Sequence, residues 1–287
     1  MQPTDRTRDE SDQRAGFDDE IERAVALLRG RRTAVLTGAG ISTDSGIPAY
    51  RGAGAPPRGN PMTAQLFLSD EAARRRYWVG GHLGWNRFTS IEPNGGHRAL
   101  ADLERRGEVT GVVTQNVDGL HLRAGSSHVI ELHGSMRHIL CLNCGQLFDR
   151  GSIADRIDEL NPWITVPENV VLNPDGDVSP ETTDGFIVPT CDLCGGMLKP
   201  DVVFFGEFIP PDRFRVSESL LRASDALLVA GTSLTVNSGI RVIERARRRG
   251  LPLVIINNEP TRADGWADVT IHAGTTPVLT ALAERLP

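Results

Sequence analysis

Four cysteines occur in the 287 residues, as two Cys-x-x-Cys pairs, Cys141/Cys144 and Cys191/Cys194. Four thiolates fill every position of a tetrahedral zinc and leave none open for a substrate or an activated water, so the spacing points to a structural metal. Two disulfides are the alternative reading, but they need a secreted protein, and nothing in the chain directs secretion. The stretch from Gly145 to Thr190 is longer than the ~15–20 residues of a simple zinc ribbon, so an excursion must leave and return between the knuckles. Asn161–Pro162, Asn173–Pro174–Asp175–Gly176 and Ser179–Pro180 read as its turns.

Catalysis must then come from elsewhere, and polar residues gather after several apolar runs. Gly38-Ala39-Gly40-Ile41-Ser42 follows the strand-like Thr33–Leu36, where small residues let backbone amides approach a pyrophosphate. Alone this is weak: Thr43 replaces the third glycine of the dinucleotide fingerprint, no acidic residue ends a second strand ~20 positions on, and an ordinary tight turn remains open. Thr114-Gln115-Asn116-Val117-Asp118-Gly119-Leu120-His121, Leu132-His133-Gly134, Gly231-Thr232-Ser233 and Asn257-Asn258-Glu259 follow later strands. His133 suits a general base because imidazole titrates near ~6.5; a buried histidine satisfied by the backbone is the plainer alternative. Asp118 equally suits a helix cap. His97 and His121 read as structural, and His82, His128, His138 and His272 as scaffold.

The elements that must position these groups follow from periodicity. Phe17, Ile21, Ala24/Val25 and Leu28 repeat at helical spacing, and Gly30 closes that helix. Strand-like runs recur at Gly111–Thr114, His128–Leu132, Val202–Phe205, Ala226–Ala230, Leu253–Ile256 and Val269–Ile271, with helical stretches such as Ser238–Arg249 between them. Alternation of this kind predicts an α/β fold with a doubly wound, mainly parallel sheet, whose ligands gather at the carboxyl ends of the strands. Two excursions interrupt it, roughly Gly52–Glu92 and Arg137–Lys199, and these make a smaller domain.

Lys and Arg total 31 against 37 Asp and Glu, a net charge of −6 that lacks the basic footprint of a nucleic-acid binder. Only Lys199 is a lysine. Met1–Gly16 carries no apolar segment and reads as a disordered tail rather than a signal. No apolar run approaches the ~18 residues of a membrane span. A reducing, cytoplasmic compartment is expected, and the oligomeric state is not legible.

The motifs together resemble the sirtuins, a family of NAD-dependent protein deacylases. The resemblance rests on Gly38 to Arg51 (GAGISTDSGIPAYR), the Gln115–Asp118 block, Leu132-His133-Gly134, both cysteine pairs, Val202–Glu207 and Gly231-Thr232-Ser233, all in family order, and it covers nearly everything after Phe17. It implies a Rossmann-like domain (17–51, 93–136, 200–287) joined to a small helical and zinc-binding domain (52–92, 137–199). NAD and an acyl-lysine peptide would meet in the cleft between them. By that resemblance Ala39, Gly40 and Ser42 line the phosphates, Tyr50 and Arg51 belong to the cofactor loop, and Gln115, Asn116 and Asp118 surround the nicotinamide ribose. Ser233 and Asn257 hold the adenosine side, and Gly38, Asp44, Gly231, Thr232, Asn258 and Glu259 complete the cofactor-binding set. The catalytic group is His133 with Asn116 and Asp118. Tyr50 stands where the family often has phenylalanine and keeps the aromatic ring.

The implied reaction has the acyl oxygen attack the anomeric carbon as nicotinamide leaves, while His133 takes a proton from the ribose hydroxyls on the way to free lysine and O-acyl-ADP-ribose. Arg74-Arg75-Arg76-Tyr77-Trp78 and Gly84-Trp85 resemble the class II branch associated with ADP-ribosyl transfer and lipoyl-type acyl removal. The Tyr-x-x-Arg pair of desuccinylating relatives is absent, since Gly80 follows Tyr77 by three, which disfavours short dicarboxylic acyl groups. Tyr77, Trp78 and Trp85 read either as helix packing or as acyl-pocket lining. Besides the deacylase, a mono-ADP-ribosyltransferase using the same cleft and a non-catalytic NAD sensor remain open, with a zinc-ribbon nucleic-acid binder well behind.

Overall fold

Thr33–Thr37 is buried at every residue, the mark of a central strand covered on both faces. Around it the computed structural model describes residues 4–51, 55, 61–166 and 171–287, without the side chains of 4–15. Residues 52–54 and 56–60 of the first expected excursion, and 167–170 of the second, lie outside the described residues. In chain order the elements are α1 (Thr4–Leu28), β1 (Thr33–Thr37), α2 (Ala64–Ser69), α3 (Glu71–Ser90), α4 (Gly95–Arg105), β2 (Val109–Thr114), α5 (Leu120–Ala124), β3 (Val129–Glu131) and β4 (Gly134–Cys141). There follow β5 (Leu147–Asp149), α6 (Arg150–Leu160), β6 (Leu198–Val202), α7 (Pro211–Arg222), β7 (Ala226–Ala230), α8 (Asn237–Arg248), β8 (Leu253–Ile256), β9 (Val269–Ile271) and α9 (Thr275–Arg285).

Six strands form one parallel sheet in the order β3-β2-β1-β7-β8-β9. Side chains of successive strand residues point to opposite faces, and the core splits accordingly. Val35, Val112, Leu228, Val254 and Ile256 pack under α1, α4 and α9 through Ile21, Leu28, Leu100, Leu103, Leu279 and Leu282. Leu36, Val113, Leu227, Val229, Leu253 and Ile255 face the other way, onto Leu221 of α7 and Ile240 and Ile243 of α8. The strand order reverses between β1 and β7, and that reversal is where a doubly wound sheet opens a ligand crevice.

A second sheet, β5-β4-β6, is antiparallel and belongs to a smaller lobe with its own core. Its helices start on side-chain caps: Thr63 for α2, Asp70 for α3 and Asp149 for α6. Gly80 and Gly84, four apart on α3, let the returning excursion lie on the helix backbone. A Cβ at either would come within 2.3 and 2.2 Å of the carbonyl oxygens of Val178 and Gly176, and Val178 N–H donates to the Gly80 carbonyl at 3.1 Å.

Two expectations fail. Val202–Phe205 is not a strand of the parallel sheet: β6 ends at Val202 and pairs antiparallel with β4, because the apolar run serves the small lobe, where Phe204 is buried. The stretch 1–16 is not a disordered tail throughout, since α1 begins at Thr4. Residues 4–15 hold neither glycine nor proline, so backbone propensity extends the helix beyond the apolar stripe that starts at Phe17.

Candidate functional site

The loops after β1 and β7 meet at the switch point through backbone alone. Gly40 N–H donates to the Gly231 carbonyl at 2.8 Å, and a Cβ on Gly231, at φ 68°, would stand 2.4 Å from the Ile41 nitrogen. A Cβ on Gly38 would stand 2.6 Å from that of Thr232. Glycine at 38, 40 and 231 is therefore a condition of closing the loops to this distance.

Ser42 lies beneath them, buried, and ties three segments together. Its hydroxyl donates to Asp118 Oδ2 at 2.7 Å and accepts from Asn116 Nδ2 at 3.1 Å. Asn116 Nδ2 also reaches the Gly38 carbonyl at 3.2 Å, and Asp118 Oδ1 accepts the Leu120 N–H at 2.9 Å; the N-cap of α5 is Gly119, so Asp118 steadies the turn before the helix rather than capping it. Burial pushes the Asp118 carboxyl above its ordinary range, opposed by the bonds from Leu120 and Ser42. Below Ser42, His97 accepts the Asn94 N–H on Nδ1 as half of a capping box that starts α4. His121 Nε2 meets Thr37 Oγ1 at 2.9 Å, and its ring stacks edge-on to His97 at 4.8 Å. Both are buried structural histidines, as expected.

His133 stands at the end of the short link from β3 to β4, half-buried. Its Nδ1 lies 2.8 Å from the Gln115 carbonyl oxygen and its Nε2 3.0 Å from Ser238 Oγ. Burial lowers its pKa, partly offset by the Gln115 carbonyl, and Arg213 adds to the lowering, which favours the neutral ring. Gln115 continues the chain of contacts: Oε1 accepts from Thr232 Oγ1 at 2.8 Å and Nε2 donates to Ser238 Oγ at 3.3 Å. His133 thus joins the Gln115–Asp118 turn directly, and reaches Gly38–Ser42 through Asn116.

The remaining expected residues lie further out. Asp44 and Arg51 are exposed, and Tyr50 donates its hydroxyl to Asp175 of the excursion. Ser233 Oγ is 3.0 Å from Thr235 Oγ1; Asn257 Nδ2 donates to the Glu259 carbonyl at 2.7 Å; Asn258 and Glu259 are exposed. Sequence reasoning did not single out Ser238, Arg213 or Arg150. Arg213 grips both oxygens of Asp201 at 2.7 Å beside His133. Arg150, 1% exposed, sits between Trp78 and Trp85 at 5.5 and 4.9 Å and donates to the Gly81 carbonyl at 3.3 Å, so α6 supplies a cation near the place where position 80 has none. Tyr77 packs at 5.6 Å on Phe67 and 5.1 Å on Phe204, next to Val203, whose N–H donates to the His133 carbonyl at 2.7 Å.

The four cysteine sulfurs lie within 4.8 Å of one another. Cys141–Cys194 and Cys144–Cys191 are 3.6 and 3.8 Å apart. Disulfides need ~2.05 Å, whereas zinc with four ~2.3 Å bonds sets sulfurs about 3.8 Å apart, so the set fits one tetrahedral ion. β4 carries the chain from Gly134, beside His133, to Cys141, a run of roughly 20 Å at strand rise. The metal centre braces the lobe and is remote from the histidine.

The Sir2 family model matches residues 38–238. The chain belongs to the Sir2 family. Among curated relatives of this Sir2-family chain, "NAD-dependent protein deacetylase 1" of Mycobacterium avium is 48% identical over 271 residues, 93% of this chain and 96% of that one. "NAD-dependent protein lipoamidase sirtuin-4, mitochondrial" of Bos taurus is 44% identical over 261 residues, 88% and 82% of the two chains. A solved structure described as "Sir2-p53 peptide-NAD+" superposes with a TM-score of 0.73 at 30% identity, covering 92% of this chain and 97% of that one. No helix among the described residues is long and apolar enough to cross a membrane.

Proposed function

We propose that this Sir2-family chain removes acyl groups from protein lysines with NAD as co-substrate, releasing nicotinamide and O-acyl-ADP-ribose. The observation that carries the reading is His133 bonded through Nδ1 to the Gln115 carbonyl, with the Gln115 side chain bonded in turn to Thr232 of the loop after β7. The relatives named deacetylase and lipoamidase, and the relative described with peptide and NAD, support it.

The residues present fit a dinucleotide. Gly38, Gly40 and Gly231 leave a side-chain-free cradle where backbone can approach phosphates, with Ala39, Ser42, Asp44 and Thr232 alongside. Tyr50 and Arg51 close over it, Gln115, Asn116 and Asp118 receive the nicotinamide ribose, and Ser233, Asn257, Asn258 and Glu259 the adenosine side. When bound, NAD supplies the electrophilic sugar carbon and the leaving nicotinamide. His133 accepts a proton from a ribose hydroxyl on Nε2, because Nδ1 is committed to the Gln115 carbonyl. Asn116 and Asp118, fixed through Ser42, hold the reacting sugar in place, and such positioning is worth up to ~7–11 kcal/mol. Lys199, the one lysine, is buried against Phe204 and paired with Glu207 at 3.0 Å, which shapes the 202–207 segment beside the peptide path. Zinc on the four cysteines holds the lobe that forms the opposite wall, and a reducing cytoplasm suits those thiolates.

The test is mass spectrometry of products from NAD with acetyl-, longer acyl- and lipoyl-lysine peptides. O-acyl-ADP-ribose and free lysine are expected with wild type, and neither with a folded, zinc-loaded His133→Ala protein. Full turnover by His133→Ala refutes the assignment of the base; ADP-ribose left on the protein substrate refutes deacylation in favour of transfer.

A further inference from the structure

The contacts around His133 have a definite hydrogen-bond polarity that identifies a residue with no assigned part in the reaction. Thr232 Oγ1 accepts the Leu234 N–H at 3.2 Å, so its own proton goes to Gln115 Oε1 at 2.8 Å. The Gln115 amide is thereby oriented with Nε2 toward Ser238, to which it donates at 3.3 Å. The Gln115 carbonyl can only accept, so it takes the His133 Nδ1–H at 2.8 Å and leaves Nε2 with a free lone pair. Ser238 Oγ, which accepts from Gln115, therefore gives its one proton to His133 Nε2 at 3.0 Å. The circuit closes on the residue where it began, with every donor matched to an acceptor.

We propose that Ser238 is a positioning residue for His133. In the co-substrate-free protein its hydroxyl donates to the imidazole Nε2 that the Gln115 carbonyl leaves bare, which holds the ring in place, and it yields the nitrogen when a ribose hydroxyl arrives. The inference rests on the reading of His133 as the base, but the contact itself is independent of any reaction.

The placement follows from the fold. Ser238 is in the first turn of α8, buried at 7% exposure, and the loop before it contains Leu234 at φ 57°, the one non-glycine residue with positive φ among those described. That backbone turn sends the chain back across the ends of β7 and β2, so that α8 begins against Gln115; a Cβ on neighbouring Gly239 would stand 3.2 Å from Gln115 Nε2. A hydroxyl donating to Nε2 favours the neutral ring, since a protonated Nε2 would set two donors face to face. The charges near the ring are Arg213 from α7 and its partner Asp201 from β6, with Glu131, Arg137 and Asp118 grouped beyond them. None of these contacts Nε2 among the described residues.

The experiment is nitrogen NMR of the histidine-labelled full-length, zinc-loaded protein without NAD, with pH titration of wild type, Ser238→Ala and Ser238→Thr. Wild type is expected to show His133 as the Nδ1–H tautomer. Removing one hydrogen bond to the neutral form in Ser238→Ala is expected to raise the His133 pKa by about half to one unit, with Ser238→Thr restoring it. The acid limb of kcat/KM should move by the same amount and in the same direction. An Nε2–H tautomer in wild type, or a titration unmoved in a folded Ser238→Ala, overturns the proposal. The NMR arms need no substrate, so absence of deacylase activity would sink the functional reading and leave this one decided on its own data.

Discussion

Acid should weaken the packing beneath Ser42, and His97 sets the size of the effect. Its ring is fully buried, Nδ1 accepts the Asn94 N–H at 3.4 Å, and Nε2 is 3.5 Å from Ser42 Oγ. Burial, helped by Arg98, brings its pKa down from 6.5 to about 4. A second proton would also set Nδ1–H against the Asn94 N–H. The unfolded chain therefore binds a proton that the folded one refuses between pH 6.5 and 4, and stability falls as pH falls through that window. A gap of about 2.5 units is worth about 3.4 kcal/mol when fully expressed, and about 2 kcal/mol at pH ~5 relative to pH ~7.5. Urea unfolding at those two pH values, followed by tryptophan fluorescence, measures it. His97→Gln keeps a capping-box residue and removes the titration, so wild type should lose about 2 kcal/mol more than the variant on acidification. Zinc release acts on both proteins alike, and His121, whose pKa is lowered mainly by its own burial, keeps most of its shift in the variant. Equal losses in the two would refute the reasoning, and with it the view that this cap couples pH to Ser42.

Three other outcomes follow from the same geometry. Cys191→Ser should lose the metal, read by elemental analysis, and unfold the small lobe at lower temperature while the parallel sheet persists; full zinc content in the variant would defeat the four-thiolate site. Gly231→Ala places a Cβ 2.4 Å from the Ile41 nitrogen at φ 68° and should cost at least ~1–2 kcal/mol of stability and weaken NAD binding in calorimetry, whereas unchanged affinity would show that the loops need not meet. Gly84→Ala would ordinarily stabilise a helix by ~1 kcal/mol, but here the methyl meets the Gly176 carbonyl at 2.2 Å. The expected sign is reversed, with faster proteolysis of the 171–189 segment; a more stable variant would show that the excursion does not rest on α3.

Legibility tracked how local the cause was. Ala226–Ala230, Leu253–Ile256 and Val269–Ile271 are strands at the expected bounds, because strands covered on both faces are continuous apolar runs that need no partner to be recognised. Val202–Phe205 has the same texture, but its fate depended on whether Phe204 found a slot beside Phe67 and Tyr77, and that slot is formed by α2 and α3. The place of His133 just after a strand was legible from its motif. Ser238 was not, since its contact spans 105 positions and a lone serine in the first turn of an amphipathic helix carries no mark of what it will touch.

Residue types and short spacings were enough to establish a zinc knuckle pair, a doubly wound sheet and the strand-end polar groups, because thiolate coordination, side-chain alternation and glycine tolerance act over a few residues. The closure of glycine loops at 38–40 and 231, the donor direction around His133 and the placement of Arg150 between two tryptophans were decided only by the packed chain. Hydrogen-bond polarity and steric exclusion belong to pairs of surfaces, and neither surface exists until the strands have chosen their order.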